Sequence, residues 1–254
     1  MNRSLTGAIG AAVGALVWAL VAPLGLPAEP GSVLEVGQFS AETEGEKLPA
    51  GWKPLTFPKI PQQTTYAVVK DGDTVVVRAT SRASASGLTK DVKIDPKAYP
   101  IVRWRWKVEN LLKTADVRTK QGDDYPARLY ITFEYDPDKV SVGRKAKYQA
   151  GKIIFGDIPI AAIHYIWDAK APQGLFIDNA YTDFAKMIVV ESGAQGLGTW
   201  KDEERNIYED YKKAFDGEPP MINGVAIMTD SDNTKVRGHR VQKSGTSVMP
   251  VAES

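Results

Sequence analysis

Cysteine is absent from the 254-residue chain, and histidine occurs only twice, as His164 and His239. Without cysteine the protein has no disulfide, no thiolate metal site and no cysteine nucleophile. Two histidines also argue against a zinc site built from several imidazoles. These absences remove several classes of enzyme and metalloprotein.

An excess of charge of either sign is also missing. The 32 Lys and Arg residues nearly balance the 31 Asp and Glu residues, which gives a formal net charge of +1. No overall field therefore attracts nucleic acid or an anionic membrane, and we predict neither as a partner. The hydrophobic content of 43% is enough for one large core.

Long apolar runs are confined to the N-terminus. Arg3 precedes an apolar run from Leu5 to Leu26, and "LPAEP" then offers Ala28 as the last residue before a cleavage site. Residues 1–28 are therefore predicted to be an export signal, or else an uncleaved anchor, because an apolar stretch of about 20 residues can span a bilayer. We expect residues 29–254 to form a single domain outside the cytoplasm, in the periplasm, with no further membrane span.

The segment "PIVRWRWKVEN" alternates apolar and basic residues. This period of two is typical of a strand with one buried face and one solvated face. Trp104 and Trp106 should be buried, and Arg103 and Arg105 should point outward. A slip of one residue would bury unpaired charge, so the register is strongly determined.

Many other short segments have strand character and are separated by Gly, Pro and Asp turns. This pattern predicts a mainly β protein, an antiparallel β-sandwich. The region before residue 64 is predicted to hold at most one short strand. One helix is predicted near residues 200–215, with Thr199 as N-cap and with apolar residues at helical spacing. The predicted strands lie in "TTYAVVKDGDTVVVRATS", "ASASGLTKDVKI", "IVRWRWKV", "ARLYITFEY", "AAIHYIWDA", "KMIVVES" and "INGVAIMTD", with a weaker pair between Val236 and Val251.

The densest polar stretch is "TKQGDDYPARLY", which contains Asp123, Asp124 and Arg128. Two carboxylates can act as acid and base, as the catalytic pair of a glycosidase, or as oxygen ligands for Ca²⁺. The alternative is that they cap the turn at Gly122 and form an ion pair with Arg128.

A second polar stretch, "MTDSDNTKVRG", follows a predicted strand. Asp230, Asp232 and Asn233 offer three oxygen donors within four residues, which resembles the start of a calcium loop. The stretch lacks the glycine and the distal glutamate of an EF-hand. The alternative is a turn in which these side chains bond to the local backbone.

The basic face of "VRWRWKV" is a third candidate site. If the strand that carries Arg128 and Tyr130 lies beside it, Arg103 and Arg105 would share a surface with these residues. Such a surface can hold an acidic sugar through bidentate arginine contacts and ring stacking. The alternative is a solvated face whose charge is balanced by nearby glutamates.

The order of the segments resembles that of the bacterial domain of unknown function 3047 (DUF3047) family, from about Val33 to the mid-230s. The most specific elements are GDD-x-x-A-R and D-x-D-N-T, whereas "RGHRVQKSGTSV" after Lys235 departs from the family pattern. The resemblance implies an exported, jelly-roll-like β-sandwich similar to carbohydrate-binding modules, and it implies no particular activity. The polar motif residues that it carries over are Asp123, Asp124, Arg128, Asp230, Asp232 and Asn233.

Three functions remain open from the sequence. The first is an exported, non-catalytic binding protein that presents a polar face to a glycan or other oxygen-rich small molecule; no recognisable nucleophile motif is present. The second is a polysaccharide lyase or hydrolase in which Asp123 or Asp124 is acid or base, Arg128 neutralises a substrate carboxylate and Tyr130 or Tyr181 donates a proton. The third is a structural envelope protein. Ca²⁺ is compatible with each of them, and no protein partner is predicted.

Overall fold

The computed structural model describes residues 33–45, 48–134, 146 and 161–234, and the backbone alone of residues 244–253. Within these residues the chain forms two β-sheets and one α-helix. The predicted signal or anchor at 1–28 and the start of the weaker C-terminal strand pair lie outside the described residues. No helix in the described part is long and apolar enough to cross a membrane.

The first sheet, sheet A, has six strands: β1 (Val33–Leu34), β3 (Thr65–Asp71), β4 (Thr74–Ser81), β6 (Ile101–Val108), β11 (Lys201–Asn206) and β13 (Ser244–Glu253). Their order is β11-β6-β13-β4-β3, and β1 pairs with β13. All of these pairings are antiparallel. β6 therefore has β11 and β13 as its neighbours.

The second sheet, sheet B, has seven strands: β2 (Lys53–Leu55), β5 (Ala85–Ile94), β7 (Ala127–Phe133), β8 (Ala162–Asp168), β9 (Phe176–Asn179), β10 (Thr182–Ser192) and β12 (Ile222–Asp230). Their order is β2-β5-β12-β7-β8-β10-β9. The β8–β10 pair is parallel, which departs from the predicted antiparallel pattern. Residues 169–181 are long enough for the crossover that a parallel pair needs.

The two sheets pack face to face as a β-sandwich, so the predicted fold class is confirmed. The chain passes from one sheet to the other between β1 and β2, β2 and β3, β4 and β5, β5 and β6, β6 and β7, β10 and β11, β11 and β12, and β12 and β13. Repeated crossing of this kind is typical of jelly-roll sandwiches. The region before residue 64 contributes two short strands, β1 and β2, rather than at most one.

Aromatic rings fill the space between the sheets. Trp104 of β6 stacks on Tyr165 of β8 with ring centroids 5.1 Å apart, and Trp106 lies 6.2 Å from Trp167. All four residues are buried. The burial of both tryptophans confirms the predicted register of β6. This register is stable because the rings remove a large apolar area from water.

The helix, α1 (Ile207–Phe215), begins later than predicted. Residues 201–206 form β11 and pair with β6, so Thr199 is not the N-cap. Asn206 takes that role, and its Oδ1 accepts a hydrogen bond from the backbone N–H of Glu209 at 3.0 Å. The helix ends at Phe215, as predicted. Its Tyr211 packs on Phe133, the last residue of β7, at 4.5 Å between ring centroids.

Glu203 places a carboxyl group on the tryptophan side of sheet A. It lies opposite Trp104 across β11 and β6, and its Oε1 accepts a hydrogen bond from Nε1 of Trp106 at 2.9 Å. Burial, with the nearby carboxylate of Glu191, raises the pKa of Glu203 to about 7. The folded protein therefore holds a proton here that the unfolded chain releases near pH 4.5.

Replacing this carboxyl group should change how stability depends on pH. The stability that the bound proton contributes is complete below pH 4.5 and is lost as the pH rises through about 7. Glu203→Gln keeps an acceptor for Trp106 without the charge, so we expect it to stabilise the protein at pH 8 by about 1 kcal/mol, a modest value because solvent screens this partly buried group. Urea unfolding followed by tryptophan fluorescence measures the effect.

The matched control is Glu204→Gln, which changes the exposed neighbour that pairs with Arg103 at 2.7 Å. Its free energy of unfolding relative to the wild type should show no gain between pH 4.5 and pH 8. An equal effect of Glu203→Gln at both pH values would contradict the assignment of a raised pKa to Glu203.

Candidate functional site

The two polar motifs of the sequence meet at one end of the sandwich, which we call the motif end. It comprises residues 120–125, residues 179–182 and residues 230–234. β7 and β12 are antiparallel neighbours, so the start of β7 lies beside the end of β12. This pairing brings the Asp123–Asp124 turn next to Asp230, although more than 100 residues separate them in the chain.

A buried ion pair joins the two motifs. Nη2 of Arg128 donates to Oδ2 of Asp230 at 2.7 Å, and the backbone N–H of Tyr125 donates to Oδ1 of Asp230 at 3.0 Å. Arg128 is 4% exposed and Asp230 is 2% exposed. The guanidinium group also lies 4.3 Å from the centre of the Tyr125 ring. The alternation of apolar and polar residues in "ARLYITFEY" predicts a strand with one solvated face, but the outward face of β7 is not solvated at Arg128.

Asp124 fixes the chain that follows β12. Its Oδ1 accepts hydrogen bonds from the backbone N–H of Asn233 at 3.1 Å and from the side-chain amide of Asn233 at 3.2 Å. Its Oδ2 accepts one from the backbone N–H of Thr234 at 2.6 Å. The preceding Gly122 leaves no room for a side chain, because a Cβ there would lie 2.5 Å from the backbone nitrogen of Asp116. The side chain of Asp124 therefore fixes the loop after β12, whereas the alternative from the sequence was that it caps the turn at Gly122.

Asp123 connects the ion pair to the β9–β10 turn. The side-chain amide of Asn179 donates to Oδ1 of Asp123 at 3.1 Å, and Oδ1 of Asn179 accepts from the backbone N–H of Tyr181 at 3.0 Å. The hydroxyl of Tyr181 lies 3.0 Å from Oδ1 of Asn233 and 3.1 Å from the carbonyl oxygen of Lys120. Its single proton can be donated to either acceptor.

Negative charge exceeds positive charge in this cluster. Burial raises the pKa values of Asp123 and Asp230, while the nearby charge of Arg128 opposes both shifts. Burial and the carboxylate of Asp124 also raise the pKa of Asp232. One arginine therefore faces several carboxyl groups, and the local electrostatics favour an additional proton or cation.

Three carboxylates of the motif end are close enough to hold one metal ion. One oxygen each of Asp124, Asp230 and Asp232 lies within 4.8 Å of the others. Asn233, the third predicted ligand, instead directs its Oδ1 toward the hydroxyl of Tyr181. Carboxylate oxygens fit Ca²⁺, although both oxygens of Asp124 and of Asp230 already accept hydrogen bonds.

Residues 50–241 match the model of a family described as "Protein of unknown function (DUF3047)". The chain belongs to this family. Both polar motifs lie within the matched residues, so the predicted family is confirmed. None of the curated proteins matches the chain.

Two solved structures resemble this DUF3047 chain, and both are of a family 11 carbohydrate-binding module from Clostridium thermocellum. The module of the cellulosomal cellulase Lic26A-Cel5E aligns with a TM-score of 0.38 and 8% identity, over 88% of this chain and 95% of the module. The module in complex with a β-1,3-1,4-mixed-linked tetrasaccharide aligns with a TM-score of 0.35 and 8% identity, over 84% and 92%. Similarity at this level carries no information about a ligand of this chain.

Tyr130 and His164 lie on the outward face of sheet B, next to Arg128 rather than at the rim. Their ring centroids are 4.0 Å apart, and the Tyr130 ring lies 5.5 Å from the Arg128 guanidinium group. The Tyr130 hydroxyl donates to the sulfur of Met228 at 3.0 Å. Burial lowers the pKa of His164 well below its ordinary value, so the imidazole is neutral at physiological pH.

Arg103 and Arg105 do not join the motif end. β6 lies in sheet A and β7 in sheet B, so these arginines share no sheet face with Arg128 and Tyr130. They pair instead with β11: Arg103 with Glu204 at 2.7 Å and Arg105 with Asp202 at 2.5 Å. The positive charge of this face is balanced by carboxylates, mostly on a strand that the sequence assigned to a helix.

Asn179 was not predicted to belong to the motif end, and Tyr181 was predicted only as a proton donor for an enzyme. The segment "NAYTD" reads as an ordinary turn. Its contact with Asp123 depends on β10 lying beside β8, which places the β9–β10 turn at this end. No local signal predicts that pairing.

Breaking the buried ion pair should destabilise the protein strongly. Asp230→Asn leaves Arg128 buried without its closest counter-charge, and we expect a loss of about 3 to 5 kcal/mol in the free energy of unfolding. Equilibrium urea unfolding measures this loss. The double variant Asp230→Asn, Arg128→Met should lose less free energy of unfolding than the sum of the losses in the two single variants, because no unpaired charge remains buried.

The control is Asp91→Asn, which removes an exposed ion pair with Lys53. An exposed pair contributes about 1 kcal/mol or less. Equal effects of Asp230→Asn and Asp91→Asn would show that the Arg128–Asp230 pair is not the main link between the two motifs.

Proposed function

We propose that this protein is an exported, non-catalytic binding protein whose motif end recognises a glycan or another oxygen-rich ligand. The observation that carries the proposal is the position of Tyr181. Its side chain is 46% exposed, and its hydroxyl group is held by the polar network of the two motifs. An aromatic ring beside carboxylate and amide groups is the combination that sugar binding uses.

The ligand-facing groups are at the rim of the cluster, and the buried groups support them. Asp232 and Asn233 are partly exposed next to Tyr181, whereas Asp123 and Asp124 are buried. A carboxylate and an amide can each bond sugar hydroxyls, while the ring can stack on a sugar face. The buried aspartates hold the two loops that carry these groups.

The state of Arg128 supports a binding role over the lyase or hydrolase alternative. A catalytic arginine must reach the carboxylate of a substrate, but this one is buried and bonded to Asp230 and to the carbonyl oxygen of Asp123. Asp123 and Asp124 are likewise occupied by Asn179, Asn233 and Thr234. The proposal that the protein is exported depends on residues 1–28, which have the sequence features of an export signal.

Replacing the exposed ring should remove binding without unfolding the protein. We expect Tyr181→Ala to weaken the affinity for a glycan at least tenfold, about 1.4 kcal/mol, because a ring at the centre of a binding site contributes at least this much. A glycan array identifies the ligand, and calorimetry gives the dissociation constants.

The matched control is Tyr208→Ala on α1, where the hydroxyl of Tyr208 contacts Glu218 at the opposite end of the sandwich. It should bind the glycan like the wild type. Absence of any glycan ligand, or wild-type affinity in Tyr181→Ala, would contradict the proposal and favour a structural envelope role.

Ca²⁺ binding at Asp124, Asp230 and Asp232 is a separate part of the proposal. An ion that binds only the folded state stabilises it, by about 2.7 kcal/mol when its concentration is 100 times the Kd. Millimolar CaCl₂ should therefore raise the Tm by about 3 °C or more, and EGTA should reverse the change.

Asp232→Asn should abolish the rise in Tm, because this side chain is the most open of the three carboxylates. Asp202→Asn, on the exposed face of β11, should leave it unchanged. An unchanged Tm in the wild-type protein with millimolar CaCl₂ would rule out the calcium site and leave the glycan proposal intact.

A further inference from the structure

A second polar surface lies on the outer side of the turn that follows β4, and this turn is hydrogen-bonded to Ser231 of the motif end. A groove of about 420 Å³ opens where β3 and β4 pair at the edge of sheet A. Among the described residues, its lining consists of Gln62, Gln63, Thr65, Thr80 and Arg82. Each of these side chains offers polar groups, and the volume is near the lower end for small-molecule sites.

Two threonines on neighbouring strands line this groove. Thr65 and Thr80 are direct cross-strand partners, so their side chains project from the same face of the sheet. Gln62 and Gln63 precede β3 and are exposed. Two hydroxyls and two amides thus provide both donors and acceptors within one small space.

Arg82 supplies the charge of the groove. Its side chain is exposed, and within the described part of the chain no carboxylate forms an ion pair with it. Other arginines, such as Arg103 and Arg128, do have acidic partners there. The guanidinium group of Arg82 is therefore available to an anion from outside.

Buried hydroxyl groups hold the turn that carries Arg82. Oγ of Ser84 accepts a hydrogen bond from the backbone N–H of Arg82 at 3.0 Å, and Oγ of Ser81 lies 2.6 Å from Oγ of Ser231. The next residue, Ala83, has a positive φ of 48°, which a non-glycine residue adopts only when its surroundings fix it. The position of the arginine backbone is thus set before any ligand arrives.

We propose that this groove binds a carboxylated sugar residue, a hexuronate, with its carboxylate on Arg82. A guanidinium group forms two parallel hydrogen bonds with a carboxylate. The amides of Gln62 and Gln63 and the hydroxyls of Thr65 and Thr80 then bond the ring hydroxyls. This site goes beyond the function proposed for the motif end and uses none of its ligand-facing residues.

Calorimetry with tetragalacturonate, using the full mature chain, tests the site. The wild type should bind with a Kd below 1 mM, and Arg82→Gln should weaken binding at least tenfold, as expected for a charge-assisted pair. Thr80→Val should weaken it about threefold. Both substitutions are at the surface, and circular dichroism with a thermal melt verifies that each variant folds.

The matched control is Arg118→Gln, which removes an exposed arginine beside the motif end and outside the groove. It should bind tetragalacturonate like the wild type. Arg82→Gln should not change the calorimetric signal obtained with neutral cellotetraose at the same concentration.

Three results would overturn the proposal. The first is that the wild type does not bind tetragalacturonate, and the second is that Arg82→Gln binds it unchanged. The third is that inorganic phosphate competes with tetragalacturonate as strongly as free galacturonate does, which would indicate a general anion site. Loss of tetragalacturonate binding in Tyr181→Ala but not in Arg82→Gln would place the acidic sugar at the motif end instead. The two proposals can therefore fail separately.

Discussion

The buried ion pair between Arg128 and Asp230 is the interaction on which the motif end depends. It links the start of β7 to the end of β12, and it brings two turns together that are distant in sequence. Two charges that are buried away from water are stable only while they remain paired. The turns that carry Asp124 and Asn233 are positioned by the same contact, because they directly adjoin the paired strands.

Burial of the charged motif residues changes how their role is understood. Carboxylates and an arginine in sequence are typical of a catalytic or ligand-binding set, but here they bond chiefly to one another and to the backbone. The side chains that remain at least partly exposed are Asp232 and Asn233 of the second motif and the neighbouring Tyr181. The buried motif residues therefore support the surface that these three side chains form.

The local sequence pattern was sufficient to predict some elements of the fold. The alternation around Trp104 and Trp106 predicted their burial, and the end of the helix at Phe215 was also predicted correctly. The start of the helix was wrong because residues 201–206 gain backbone pairing with β6, which outweighs their helical propensity. Placing the Arg103 strand beside the Arg128 strand was also an incorrect option, since the chain crosses to the other sheet between them.

The sequence alone determined that the tryptophan side of β6 faces the interior, because a period of two separates apolar from polar side chains whatever the neighbouring strand. It also determined the family, through motifs that survive as linear patterns. Only the tertiary structure decided which strands are neighbours, and hence that Asp123, Asn179 and Asp230 meet while Arg103 and Arg105 lie on the other sheet. Strand order depends on long-range pairing and on crossovers such as residues 169–181, and the free energy of those contacts is not encoded in any one segment.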